Sequence, residues 1–151
     1  MSVLKNKRRE SKALFVNVAN DICNETVTFM SKLSARYSRL IASNVMKLAS
    51  EVADNCEKGN SIFPSDTVRK ELREKHFLEA RASLMALDVC LSRVYSILML
   101  NPQGSFTTSA GNTVKSDEAV KKLDRMAQSL GEKIDDLNRM LTELLKSDKQ
   151  Q

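Results

Sequence analysis

Residues 77–98 read FLEARASLMALDVCLSRVYSIL, and residues 120–144 read VKKLDRMAQSLGEKIDDLNRMLTEL. In the first stretch Phe77, Ala80, Leu84, Leu87, Leu91, Val94 and Leu98 follow one another at alternating steps of three and four. In the second, Val120, Leu123, Ala127, Leu130, Ile134, Leu137, Leu141 and Leu144 keep the same rhythm. Apolar side chains at this spacing line one side of an α-helix, and such a stripe leaves water only by meeting another. The chain of 151 residues is therefore predicted to be all-α, an up-down four-helix bundle with a single core.

Working outward from the two seams, Pro64 followed by Ser65-Asp66 supplies a capping group and an acid at the start of the third helix, which stops at Leu100 before Asn101-Pro102. Ser116-Asp117-Glu118 caps the fourth helix, which is expected to end near Lys146. Between them, Ser105-Phe106-Thr107-Thr108 and Thr113-Val114 flank a Gly-Asn turn, the pattern of a short β-hairpin or of an irregular loop. Upstream, Ser11 can cap a first helix running to about Leu33, with Phe15, Val18, Ile22, Phe29 and Leu33 inward. A second helix, from about Ser38 to Lys58, buries Ile41, Val45, Leu48, Val52 and Cys56, with Gly59-Asn60 as its stop. One continuous helix over residues 11–58 would bring Arg36 and Arg39 into the apolar seam and would span about 70 Å against roughly 50 Å for its neighbours, so a break is placed near Ser34–Ser38. The resulting organisation is a basic, flexible arm (1–10), the bundle (11–147) and a polar tail (148–151).

The net charge of +5 is unevenly spread. Residues 1–47 carry nine Lys/Arg against Glu10, Asp21 and Glu25, a balance of +6; residues 48–151 carry 15 against 16 acids, a balance of −1. A basic first third favours a polyanion or an acidic protein face as partner. Lys32, Arg36 and Arg39 flank the proposed first turn with Tyr37 among them, Lys47 lies two turns on, and Lys7, Arg8 and Arg9 belong to the arm. The Lys32/Arg36/Arg39 group has no acid near it in sequence, the condition a phosphate contact needs. By contrast Arg69, Lys70, Arg73 and Lys75 are interleaved with Glu71 and Glu74 and read as a solvated face. Three scattered cysteines, Cys23, Cys56 and Cys90, read as reduced core residues of a cytoplasmic protein. No run approaches the ~20 apolar residues of a membrane span, and no secretory signal is evident.

Motifs for catalysis are missing. His76 is the one histidine, with Arg at position 73 where an inward Glu-x-x-His metal pair would need a glutamate. HExxH, CxxC, GxGxxG and GxxxxGK[ST] do not occur. The pairs Asp117-Glu118 and Asp135-Asp136 read as a helix cap and a solvated surface. A non-enzymatic protein without metal or cofactor is expected. Of the seven methionines, those inside fill the core, and any on an outer face would suit an oligomer interface.

Two runs carry a family likeness: Val52-Ala53-Asp54-Asn55-Cys56-Glu57-Lys58-Gly59-Asn60-Ser61, and Phe77-Leu78-Glu79-Ala80-Arg81-Ala82-Ser83-Leu84-Met85-Ala86-Leu87. Over about residues 11–100 the chain resembles the bacterial four-helix-bundle proteins of ribosomal-RNA intervening sequences. It is also similar to their relatives, the accessory variability determinants of diversity-generating retroelements. The resemblance implies an up-down four-helix protomer assembling into a basic, barrel-shaped homopentamer. It implies a factor that binds its cognate reverse transcriptase and RNA or DNA, assists mutagenic cDNA synthesis and has no catalytic residues. Arginines on helices facing polymerase or nucleic acid would here be Arg36, Arg39 and Arg93. The alternative reading of the same basic surface is a helical protein-interaction module with an acidic protein partner.

Overall fold

The computed structural model of the protein describes residues 13–150. Four α-helices make up the fold: α1 (Leu14–Met30), α2 (Ala35–Asn60), α3 (Thr67–Leu98) and α4 (Ser116–Gln150). Each packs on two neighbours, α1 on α2 and α4, and α3 on the same two, so the helices form a closed ring around one core. Cross-links give the directions. His76 and Ser83 of α3 reach Asn55 and Glu51 of α2, while Arg73 and Tyr95 of α3 reach Asp148 and Asp124 of α4. In both pairs rising numbers on one helix meet falling numbers on the other, so α3 runs antiparallel to both. The third-helix seam is buried at all seven expected positions. Its N-cap is Asp66, whose carboxylate accepts from the Arg69 amide at 2.8 Å.

The fourth-helix seam is displaced at its ends. Val120, Ala127 and Leu144 are half-buried, whereas Ala119 and Leu145 take the fully buried places. A helix with 3.6 residues per turn drifts about 20° per heptad from a strict 3.5 repeat, so over this length steps of four replace steps of three. In α1 and α2 the buried stripe is instead turned toward the neighbouring flank, so that Val16, Ala19 and Ala49 are buried and Val18, Ile41 and Leu48 are half-buried. The break between α1 and α2 falls at residues 31–34, slightly before the expected Ser34–Ser38. There Lys32 and Leu33 fold back in a tight turn on the Phe29 and Met30 carbonyls. Helix α4 continues past Lys146, because Asp148 is held by Arg73. The expected cap Ser11 lies outside the described residues, as does the basic arm.

No strand occurs among the described residues, which corrects the hairpin reading of 105–114. Asn101 accepts from the Gly104 amide through its side chain, and the adjoining Pro102–Phe106 winds into a 3-10 helix that consumes the first strand. The Gly-Asn tip does turn, with Gly111 at φ 84° and the Thr108 amide donating to the Asn112 carbonyl at 2.7 Å. Side-chain bonds hold the remainder: the Thr107 and Thr113 hydroxyls donate to the Gln103 carbonyl, and the Gln103 amide donates to the Val114 carbonyl.

Helix α2 ends at Asn60, as the Gly59-Asn60 stop predicts, but Gly59 itself stays helical. It lies within the last turn of α2, where an added Cβ would collide with the Phe77 ring. Phe77 meets Phe15 edge-on at 5.5 Å, and the Arg73 guanidinium covers its face at 4.7 Å. The solvated-face reading of Arg73 is corrected as well. Its side chain is 13% exposed, pairs with Asp148 at 2.7 Å and donates to the Gly59 and Ile62 carbonyls at 3.1 Å. One arginine thereby ties α2, α3 and α4 together. Cys56 is fully buried, and burial, with Glu57 adding to it, pushes its thiol up to about 12; Cys23 and Cys90 are half-buried against the core.

Two glycines should respond oppositely to alanine. Gly59→Ala is expected to cost about 1–3 kcal/mol through overpacking against Phe77. Gly131→Ala, within α4 with no atom inside 4 Å of the new Cβ, should gain about 0.5–1 kcal/mol. Urea unfolding followed by helical circular dichroism checks both signs, and stabilisation by Gly59→Ala would contradict the close approach.

Candidate functional site

The turn between α1 and α2 shares one end of the bundle with the C-terminus of α3, the 102–115 segment and the start of α4. Lys32 sits in that turn with its ammonium 4.9 Å from the centre of the Phe106 ring, and Lys122 of α4 reaches the same ring at 5.3 Å. An aromatic face attracts cations through its quadrupole, so Phe106 holds two like charges in one place. Arg36 and Arg39 follow on the first two turns of α2, both exposed, and no acid stands in the first turn of that helix. Its N-cap, Ser34, makes no capping bond with its side chain. At 100° per residue Arg36, Arg39, Ser43 and Lys47 fall on one exposed stripe, opposite the buried Val45, Ala49 and Val52.

Arg93 joins this group through helix register. The bonds from His76 to Asn55 and from Ser83 to Glu51 set α3 against α2 so that Arg93 lies level with about residues 38–41. It is exposed on α3, as are Arg39 and Leu40 on α2. Of the residues singled out from sequence, Lys32, Arg36, Arg39 and Arg93 thus gather at one end of the molecule, and Lys47 continues their stripe toward the middle. Lys7, Arg8 and Arg9 lie outside the described residues.

The two ends differ in how their cations are used. At the far end Arg69 pairs with Asp66, Arg73 with Asp148, and Lys149 approaches Glu74 at 4.0 Å, while Lys58, Lys75 and Lys146 have no carboxylate within salt-bridge reach among the described residues. At the turn end none of Lys32, Arg36, Arg39, Arg93 or Lys122 has a carboxylate within salt-bridge reach among the described residues. No Asp or Glu occurs between Glu25 and Glu51. Unpaired cations of one sign raise the local concentration of anions, and the exposed Arg36, Arg39 and Arg93 are open to phosphates. Sequence reasoning missed Lys122 and Phe106: the lysine lies among the mixed charges of α4, and only the fold brings Phe106 beneath it.

Other features have structural uses. His76 bonds to the buried Asn55 at 3.1 Å and so joins α3 to α2. A cavity of about 480 Å3 along α3 and α4 has an apolar floor that includes Phe29, Leu91 and Leu130, with Asp88 and Asp124 at its rim, an unfavourable setting for phosphate. Among the described residues there is no cluster of His, Cys, Asp and Glu fit to hold a metal ion, and no helix long and apolar enough to cross a membrane. The outer face of α3 carries a second apolar series, Leu78, Ala82, Met85 and Val89, exposed at steps of four, three and four.

Comparison of the chain with protein-family models, with curated proteins and with solved structures finds no match.

Proposed function

We propose that the protein is a non-enzymatic, self-assembling accessory factor of a diversity-generating retroelement, which binds the cognate reverse transcriptase and nucleic acid to support mutagenic cDNA synthesis. The observation that carries the binding part of this reading is the unpaired, single-signed group of Lys32, Arg36, Arg39 and Arg93 at one end of the bundle. Such a group holds phosphates by charge with little base readout. The retroelement itself enters only through the family resemblance of residues 11–100. Self-assembly, as a homopentamer in that family, is supported by the outer face of α3. Leu78 and Val89 are each about half exposed there, at 47% and 52%, and an apolar series on the outside of a core helix calls for cover.

A second reading has its own support. Leu40 is 75% exposed within the basic stripe, and an apolar side chain among arginines also suits an acidic protein partner.

Two experiments separate these claims. Replacing Lys32, Arg36 and Arg39 together by Glu should abolish RNA binding and polymerase co-purification while helicity and oligomer size stay unchanged. Wild-type RNA affinity should fall roughly 20-fold between 50 and 200 mM salt if three phosphates are neutralised. Undiminished binding by the triple variant would sink the assignment; polymerase capture that survives nuclease treatment, without RNA affinity, would favour the protein-partner reading. Separately, Met85→Glu with Val89→Glu is expected to reduce the assembly to monomers of unchanged helical content in light-scattering chromatography. Persistence of the oligomer would move the interface off α3.

A further inference from the structure

The basic end also holds a recess. A pocket of about 390 Å3 is walled by the α1–α2 turn, by Tyr37 on the first turn of α2, by the C-terminus of α3 and by the 3-10 segment. Leu33 and Leu98, both in the buried core, form its apolar part. Lys32 stands in its wall, held by its contact with Phe106, and the hydroxyls of Ser34, Tyr37 and Ser105 at its rim have no side-chain hydrogen-bond partner among the described residues. The volume lies at the small end of the ligand-pocket range, too little for a helix and suited to one planar group with a polar edge.

Resting on the nucleic-acid reading above, we infer that this pocket accepts the base of one unpaired nucleotide, with Tyr37 as its stacking surface and Lys32 and Arg36 on the flanking phosphates. The protein would thereby select single-stranded over duplex nucleic acid. The geometry favours this for a simple reason. A duplex keeps its bases stacked inside and offers a recess nothing but phosphate, whereas a single strand can turn a base outward onto an aromatic ring. Tyr37 is 37% exposed, so part of its ring is open to a ligand, and it stands within one helical turn of Arg36 and Arg39. Aromatic surface interleaved with unpaired cations is the combination that single-strand binders use, and stacking tolerates any base. The unbonded hydroxyls offer donors and acceptors to a base edge without demanding one base.

The test is fluorescence anisotropy on the full-length protein with three probes of equal length: a single-stranded RNA, the corresponding duplex, and an abasic strand that keeps the phosphates without the bases. The single strand should bind at least about tenfold tighter than the abasic strand and the duplex. Tyr37→Ala should remove about tenfold from single-strand affinity, the scale of one lost base–aromatic stack, and leave the other two probes unchanged. Tyr37→Phe, which retains the ring, should behave as wild type. Equal affinity for single and abasic strands, or a uniform loss across all three probes in Tyr37→Ala, would overturn the pocket assignment while leaving charge-based binding in place. Absence of binding to every probe would overturn the underlying reading as well.

Discussion

The contact on which the rest of the structure depends is the seat of Phe77 against Gly59. With no Cβ at Gly59, the ring of Phe77 can lie against the backbone of α2, closer than any side chain would permit. Phe15 closes one edge of the ring, and Arg73 covers a face while binding the Gly59 and Ile62 carbonyls and the Asp148 carboxylate. All four helices converge there. A desolvated guanidinium is tolerated because its donors are satisfied by two carbonyls and a carboxylate, and removal of any one partner would leave polar groups buried without compensation. From this anchored end the seams of α3 and α4 run along the bundle in antiparallel register, and that register decides which residues arrive together at the opposite end.

The opposite end is built on another plan. It is closed by a four-residue turn and by the segment 102–115, whose internal bonds run largely through Asn, Gln and Thr side chains. Its cations stay unpaired, and two of them are gathered over Phe106. Mutual repulsion among such charges is a cost to the free protein, which a bound anion relieves. If phosphate is the partner, its binding and the local arrangement of Lys32 and Lys122 are one electrostatic problem.

The fold is most legible in the sequence where one physical signal dominates. The apolar rhythm of residues 77–98 needs no knowledge of any other helix, and every one of its seven positions is buried. Helix ends are legible where a local group decides them, as at Asp66, and less so where distant contacts do, as at Asp148. Gly59 and Arg73 escape a linear reading because their roles depend on a ring from another helix and on carbonyls and a carboxylate brought in by folding. The threonines near Gly111 carry genuine strand propensity, but Pro102 and the Asn101 side chain commit the preceding residues to a 3-10 turn. At the site, Lys32, Arg36 and Arg39 stand out through the run without acids, a linear signal. Lys122 and the pocket beside Tyr37 have no linear signal at all, since they exist only once α3, α4 and the turn are assembled.

If the unpaired cations serve phosphates, nucleic acid must meet the turn end of the bundle. Ultraviolet cross-linking of the full-length protein to single-stranded RNA, with the adducts located by mass spectrometry, tests that directly. Adducts are predicted in peptides that contain residues 31–40 and 99–122. Adducts confined to the paired-charge end, around residues 69–75 and 146–149, would contradict it.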